Sequence, residues 1–239
     1  MENLNEQNQS GMLTESSILD AKLQRRSFLQ YAGAGAAALA LTAAGCKKDK
    51  VVVPSGVTLD FKNDFGVLNY AYALEQLEAA FYIKVASNLS IFPNAAEKAY
   101  FQDIQYHEIA HREFFKNALG TAAIGSLEVD FSSINFNDRT SVLGAAKAFE
   151  DLGVAAYNGA GRRLTTDAYI VVAGQIVSVE ARHAAYVRDL ISPGSFANLG
   201  ELTALGAVDA SGLDGALTPD KVLAIAGTYI KTKVNVINL

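Results

Sequence analysis

The sequence is poor in the residues that build disulfides, cysteine metal sites and nucleic-acid surfaces. One cysteine, Cys46, stands among 239 residues, which excludes an internal disulfide and a zinc site made of several cysteines. The formal net charge is -5, whereas nucleic acid calls for a concentrated basic surface, so no nucleic-acid partner is expected. The sequence also lacks a Ser/His/Asp pattern, a phosphate-binding loop and an HExxH motif, so nothing in it indicates a hydrolase.

The first 45 residues resemble an export signal. Arg25-Arg26 precede Phe28-Leu29 and an apolar run rich in Ala and Gly, which is typical of a twin-arginine signal peptide. The alternative is a short transmembrane anchor. The run over 28–45 has 18 residues and contains Gln30, which places it at the short, weakly hydrophobic limit for a bilayer span.

Cys46 ends this run in the sequence Ala44-Gly45-Cys46, which resembles a lipoprotein cleavage site. The fit is imperfect because Ala43 stands where Leu is commonest. A structural thiol is the alternative, but the four residues that follow Cys46 are charged and offer it nothing apolar to pack on. We therefore expect a lipid anchor on Cys46 and a periplasmic or cell-envelope protein.

Cleavage of the signal peptide would remove three basic and four acidic residues and leave a mature chain of net charge -4. That balance gives no electrostatic attraction to anionic lipid, so membrane attachment would depend on the lipid.

A lone Glu followed by Glu-x-x-His occurs twice in the remaining chain. Glu75 precedes the first such motif by 33 residues and Glu150 precedes the second by 30, which suits one helix, a turn and half of the next helix. On a helix, residues three apart lie on one face. Half of the residues are hydrophobic, so the chain can bury these faces in a core. The predicted site residues are Glu75, Glu108, His111, Glu150, Glu180 and His183.

The pattern predicts an all-α four-helix bundle over residues 60–192, after a tether at 46–59. The helices are expected at about 60–87, 94–119, 140 to before Thr165, and from Thr166 to 191, with Thr140 as the cap of the third. The long link at 120–139 indicates a crossover that makes the second and third helices parallel. The extension at 193–239 holds a short helix that begins at Thr218-Pro219 and is expected to pack across one end of the bundle.

A single Glu-x-x-His is most often a solvated pair. Two copies on apolar faces are different, because four carboxylates and two imidazoles in a core would be costly without cations. In such a site each His binds one metal ion, Glu108 and Glu180 bridge the two ions, and Glu75 and Glu150 complete them.

The two halves can be aligned with each other. Glu75 corresponds to Glu150, and a tyrosine follows each by seven residues, whereas Glu78 corresponds to Gly153. This comparison favours Glu75 as the ligand and leaves Glu78 as a supporting or alternative ligand. Tyr82 and Tyr157 have either redox roles or, as we favour, core positions where they hydrogen-bond a carboxylate. His107, four residues before His111, could form a two-His site, although a boundary or surface position is favoured.

These motifs resemble the ferritin-like superfamily, which includes bacterioferritin, rubrerythrin and related di-iron or di-manganese proteins. The stretch 68–82 further resembles a family of exported bacterial ferritin-like domain proteins. The resemblance covers residues 60–192 and implies the same six ligands, with Glu108 and Glu180 bridging.

The superfamily does not fix one reaction. The leading hypothesis is a centre of two iron ions that oxidises Fe(II) or reduces peroxide or dioxygen, as a ferroxidase or peroxidase-type oxidoreductase. The alternatives are a non-catalytic stress or binding protein with a structural metal, and a di-manganese catalase-like enzyme. The tail helix could serve as a fifth ferritin helix in a cage, but a lipid on every chain fits a closed shell poorly, so a monomer or homodimer is expected.

Overall fold

The computed structural model of the protein describes residues 56–239. Its main elements are four long helices, α1 (Asp64–Ala86), α2 (Ala95–Leu119), α3 (Arg139–Gly161) and α4 (Asp167–Ile191). A shorter helix, α5 (Pro219–Ala226), and two strands, β1 (Val57–Asp60) and β2 (Val234–Ile237), complete them. The predicted all-α four-helix bundle is confirmed. The predicted signal peptide, Cys46 and most of the predicted tether lie outside the described residues.

The long helices form two pairs. Helix α1 packs along α2, α3 packs along α4, and the two pairs meet chiefly through α1 and α3. The segment between α2 and α3 crosses over α1, where polar side chains of α1 hold its backbone. Asn69 donates to the carbonyl of Ala122 at 2.9 Å and accepts from the amide of Ile124 at 2.8 Å. Gln76 accepts from the amide of Leu127 at 2.8 Å.

Helix α1 is the central element of the bundle. Eighteen of its 23 residues are buried, so it is covered on all sides and does not bury only the single stripe that its sequence indicates. The crossover covers one of its outer faces, where Phe131 and Phe136 pack their rings against Phe81. A helix enclosed in this way gives its polar residues a solvent-free setting.

The caps explain where the helices begin. Asn63 accepts from the amide of Phe65, so α1 begins at Asp64 and not at Asp60. Helix α3 is capped by Asp138, which accepts from the amides of Thr140 and Ser141, so the prediction of Thr140 as the cap is wrong.

The turn before α4 is held by a residue of another helix. Thr166 stands at the N-cap position but its side chain makes no capping hydrogen bond. Asp64, at the start of α1, accepts instead from the amides of Thr165 and Thr166 at 3.0 and 2.9 Å. The first and fourth helices are therefore joined where both begin.

Residues 57–60 form a strand that the sequence assigned to the tether and the first helix. Strand β1 pairs in parallel with β2, with Val57 opposite Val234 and Asp60 opposite Ile237. No local pattern reveals this strand, because its partner lies at the other end of the described chain. The pairing joins the two ends of the folded region.

Helix α5 lies beside the seam of α1 and α3. Ala226 borders a small cavity together with Leu74 and Glu78 of α1 and Phe149 and Gly153 of α3. These neighbours stand within three residues of Glu75 and Glu150, so α5 covers the middle of the bundle and the prediction that it crosses one end is wrong. Gly159 permits this approach, because a Cβ there would meet the carbonyl oxygen of Leu217 at 1.7 Å.

Candidate metal centre

The six predicted site residues lie together in the interior of the bundle. Each stands near the middle of its helix, and each of the four helices contributes at least one of them. The four carboxylates have no solvent exposure, and the two imidazoles are 9% and 6% exposed. The residues are Glu75 on α1, Glu108 and His111 on α2, Glu150 on α3, and Glu180 and His183 on α4.

One group of four surrounds the Nδ1 atom of His111. This atom lies 3.0 Å from Oε1 of Glu180, 3.5 Å from Oε2 of Glu75 and 3.6 Å from Oε2 of Glu108. The imidazole therefore faces three carboxylates, one from each of three helices.

The second group surrounds the Nδ1 atom of His183. This atom lies 3.0 Å from Oε1 of Glu108 and 3.4 Å from Oε2 of Glu150. Glu180 belongs to this group as well as to the first. The two groups thus share Glu108 and Glu180, which stand between the two imidazoles.

The donor atoms of these groups fit two metal ions. Within each group the donor atoms lie within 4.8 Å of one another. Atoms on opposite sides of an ion with bonds of about 2.1 Å would lie about 4.2 Å apart. Eight buried atoms of the six residues lack a hydrogen bond of suitable geometry, although each Nδ1 atom lies 3.0 Å from a carboxylate oxygen: both oxygens of Glu108 and Glu180, one oxygen of Glu75 and Glu150, and the two Nδ1 atoms. Divided evenly, they give four donors to each of two ions.

The remaining oxygens of the two unshared glutamates are held by tyrosines. Tyr82 donates its hydroxyl to Oε1 of Glu150, and Tyr157 donates to Oε1 of Glu75. Each tyrosine thus reaches across to the carboxylate of the other helix pair. Burial, together with the glutamate beside it, raises the pKa of each phenol well above 10.0, so both stay hydrogen-bond donors. The structure agrees with the favoured hypothesis that these tyrosines are core residues that hydrogen-bond a carboxylate. The sequence did not predict that each tyrosine binds the glutamate of the other helix pair.

The carboxylates and imidazoles of the cluster shift each other's pKa values. Burial raises the pKa of Glu75 to about 7 and that of Glu180 well above its ordinary 4.5. Burial acts in the same direction on Glu108, but the imidazoles of His111 and His183 outweigh it and lower its pKa to about 2. Burial lowers the pKa of His183, yet Glu150 and Glu108 outweigh burial and raise it to about 10. A metal ion would therefore displace protons from the imidazoles when it binds.

Glu78 lies beside the cluster but in neither group. Its side chain is 3% exposed and its Oε2 atom has no hydrogen-bond partner. Burial and the neighbouring carboxylates, Glu180 first among them, raise its pKa well above 4.5. Gly153 provides its space, since a Cβ there would meet Oε1 of Glu78 at 3.0 Å. Glu75 belongs to the first donor group and Glu78 to neither, so Glu75 as the ligand stays a prediction that this geometry favours.

Sequence reasoning missed one neighbour of the cluster. His107 is exposed on α2, as favoured, but its Nδ1 atom lies 2.9 Å from Nε2 of His183. Helical spacing within α2 cannot show this contact because its partner stands on α4. The two-His site with His111 does not form, since His111 faces the cluster while His107 contacts the outer ring edge of His183.

Comparison with known families agrees with this geometry. A model described as the ferritin-like domain matches residues 63–193, which include all six residues. A model of the TAT (twin-arginine translocation) pathway signal sequence matches residues 22–42. No curated protein matches the sequence. In the part of the chain that the structure describes, every helix is too short or too polar to cross a membrane. The chain therefore belongs to the ferritin-like domain family and carries a twin-arginine export signal.

Proposed function

We propose that the protein is an exported di-iron protein that oxidises Fe(II) or reduces peroxide or dioxygen at the carboxylate cluster. The eight unpaired donor atoms at the centre of the bundle carry this proposal. Buried polar atoms in folded proteins have partners, and each exception needs an explanation. Two ions with four protein donors each would give all eight atoms a partner.

The charge of the cluster supports two divalent cations. Glu75, Glu108, Glu150 and Glu180 carry four negative charges when ionised, and two divalent ions bring four positive charges. Protonated imidazoles alone would offset only half of that charge and would occupy the nitrogen atoms that face the carboxylates. Carboxylate and imidazole donors suit iron and manganese, and a soft thiolate is absent from the group.

Bound iron would supply one electron from each Fe(II). One hydrogen peroxide molecule takes up two electrons and two protons and leaves as two water molecules. If each ion were held by four protein donors, those donors would not enclose it completely, and an oxidant would be able to reach it. The protein contributes a fixed pair of shared carboxylates and a site from which bulk water is excluded.

The tyrosines orient the unshared glutamates. A hydroxyl bond on Oε1 leaves only Oε2 of Glu75 or Glu150 to point at the centre. This restraint fixes which oxygen binds and keeps the carboxylate from turning. Outer hydrogen bonds of this kind orient metal ligands and increase metal affinity.

Replacement of a shared carboxylate tests the proposal. Protein purified after native export should contain about two iron ions per chain and oxidise added Fe(II) with dioxygen or peroxide. Glu108→Gln should lose at least half of the iron and the oxidation, because both ions lose a ligand. Glu78→Gln is the matched control: it changes a buried carboxylate of the same interior that lies outside both groups, so its iron content should stay at the wild-type level.

Three results would contradict or redirect the proposal. Zinc, or no metal, in a folded bundle would contradict it and favour the structural or stress-protein alternative. Equal iron loss in the two variants would contradict the assignment of the ligands. Dioxygen release from peroxide by a manganese-loaded sample would favour the catalase-like enzyme.

The lipid anchor belongs to the same proposal. After export, Cys46 would become the lipid-bearing N-terminus of a periplasmic or cell-envelope protein, and a lipid on each chain favours a monomer or homodimer. Intact mass of the mature protein tests both claims, with light scattering of the detergent-free Cys46→Ser variant giving the assembly. A mature chain that lacks a lipid mass, or a large closed shell, would contradict them.

A further inference from the structure

His107 and His183 form an edge-to-edge pair between α2 and α4. The two nitrogens lie 2.9 Å apart, which is hydrogen-bond distance. The ring planes differ by 8° and the centroids lie 5.2 Å apart. This separation exceeds the nitrogen–nitrogen distance by about the width of a ring, so the rings share nearly one plane and do not stack face to face. The contact is therefore an in-plane hydrogen bond.

The two nitrogens of His183 have different tasks. Nδ1 faces Glu108 at 3.0 Å and Glu150 at 3.4 Å, so Nδ1 is the atom that a metal ion would contact. A ligand nitrogen must present a lone pair, which puts the remaining ring proton on Nε2. Nε2–H then donates to Nδ1 of His107, and the single N–H proton of the neutral His107 ring stands on its own Nε2.

Only one half of the bundle has this partner. His107 directly precedes Glu108, and the residue that directly precedes Glu180 is Val179, which cannot form a side-chain hydrogen bond. The hydrogen bond on the outer side of His183 therefore comes from His107 of α2, and the equivalent residue of α4 is apolar.

We propose that His107 is a positioning residue that fixes the tautomer and the ring orientation of His183 for metal binding. This inference rests on the proposed function, because it takes His183 as a ligand. His107 is exposed, so it also closes the outer edge of His183 against solvent. The partner of a metal-bound histidine commonly sets metal affinity by about 10–100-fold.

Two substitutions separate positioning from packing. His107→Phe keeps an aromatic ring of similar size and removes the acceptor. His107→Asn keeps an acceptor oxygen near the place of Nδ1 and removes the ring. Full-length mature protein is titrated with Co(II), whose visible spectrum reports each ion bound. His107→Phe should weaken one of two Co(II) positions by about 10–100-fold and leave the other unchanged, and His107→Asn should restore most of the loss.

The ring proton gives a second readout. In protein loaded with Zn(II), the Nε2–H of His183 should appear in the NMR spectrum of the wild type, with slow solvent exchange and coupling to Nδ1 of His107. The same proton should exchange rapidly in His107→Phe. A purely structural role for His107 would not move this signal.

The outcomes distinguish this inference from the proposed function. Wild-type protein that binds fewer than two Co(II) ions would overturn both. Two Co(II) ions bound equally well by the wild type and His107→Phe would overturn the positioning role alone. The same would follow if His107→Asn lost as much affinity as His107→Phe.

Discussion

At the position after the first glutamate, the α1–α2 half of the bundle carries Gln76 and the α3–α4 half carries Asp151. Gln76 binds the backbone of the crossover, where it accepts from Leu127. Asp151 forms a buried bidentate pair with Arg188 at 2.8 and 2.7 Å, and Arg188 continues to Glu201 in the C-terminal extension at 3.1 Å. Gln76 and Asp151 stand at equivalent positions of the two halves. Gln76 fixes the crossover to the first helix pair, whereas Asp151, through Arg188, fixes the C-terminal extension to the second.

The comparison of Gln76 with Asp151 shows at which positions the two halves of the bundle differ in sequence. Each half presents its glutamate, its Glu-x-x-His and its tyrosine in the same arrangement. The departures, by contrast, stand next to these residues and contact either a segment outside the repeat or the other helix pair. Two of the departures, Glu78 and His107, belong to the first half yet face Glu180 and His183 of the second. The motif on α4 therefore has polar neighbours that come from the first helix pair.

The largest effect is expected at the buried ion pair. Arg188→Met should lower the free energy of unfolding by about 3–5 kcal/mol, because it leaves the buried carboxylate of Asp151 without a partner. Arg188 and Asp151 are 3% and 7% exposed. Lys116, which stands at the equivalent position of α2, is exposed, so Lys116→Met should change stability by at most about 0.5 kcal/mol. Denaturant unfolding measures both.

A double variant sharpens this result. Asp151→Leu with Arg188→Met removes both charges, so it should be more stable than Arg188→Met alone. Equal losses of unfolding free energy in Arg188→Met and Lys116→Met would contradict the inference that only the second helix pair depends on a buried ion pair.

A smaller effect is expected where the helices begin. Asp64 joins the start of α1 to the turn before α4, whereas Arg139 at the start of α3 pairs with Glu97 at the start of α2 at 2.9 Å. Burial raises the pKa of Asp64, but hydrogen bonds from Thr166 and Thr165 outweigh burial and leave it below 3.8. Asp64→Asn should cost about 1 kcal/mol at neutral pH.

The contribution of Asp64 to the free energy of unfolding depends on pH. Since the pKa of Asp64 is lower in the folded state, its stabilisation is present above pH 3.8 and is lost as the pH falls through the folded pKa. The difference in unfolding free energy between the wild type and Asp64→Asn should stay constant from pH 7 to about 5 and shrink below 3.8. A difference that grows in acid would contradict the assigned contacts.

The sequence predicted the bundle and the position of the six residues because both depend on spacing within one helix. Glu108 and His111 stand three apart, and that spacing alone puts them on one face. What the sequence missed depends on contacts between distant segments. Strand β1 requires β2, Asp64 of α1 binds the turn before α4, and His107 meets a residue of another helix. Helical periodicity contains no information about any of these pairs.

The tyrosine bonds have a consequence for how such a site can arise. Tyr82 of the first helix pair restrains Glu150, and Tyr157 of the second restrains Glu75. Glu108 and Glu180 are shared in the same reciprocal way. A single helix pair would thus hold an incomplete set of donors, whereas two copies of one pair, related by a two-fold axis, would hold the whole set. One continuous chain thus provides the donor set that two equal helix pairs would provide as a dimer.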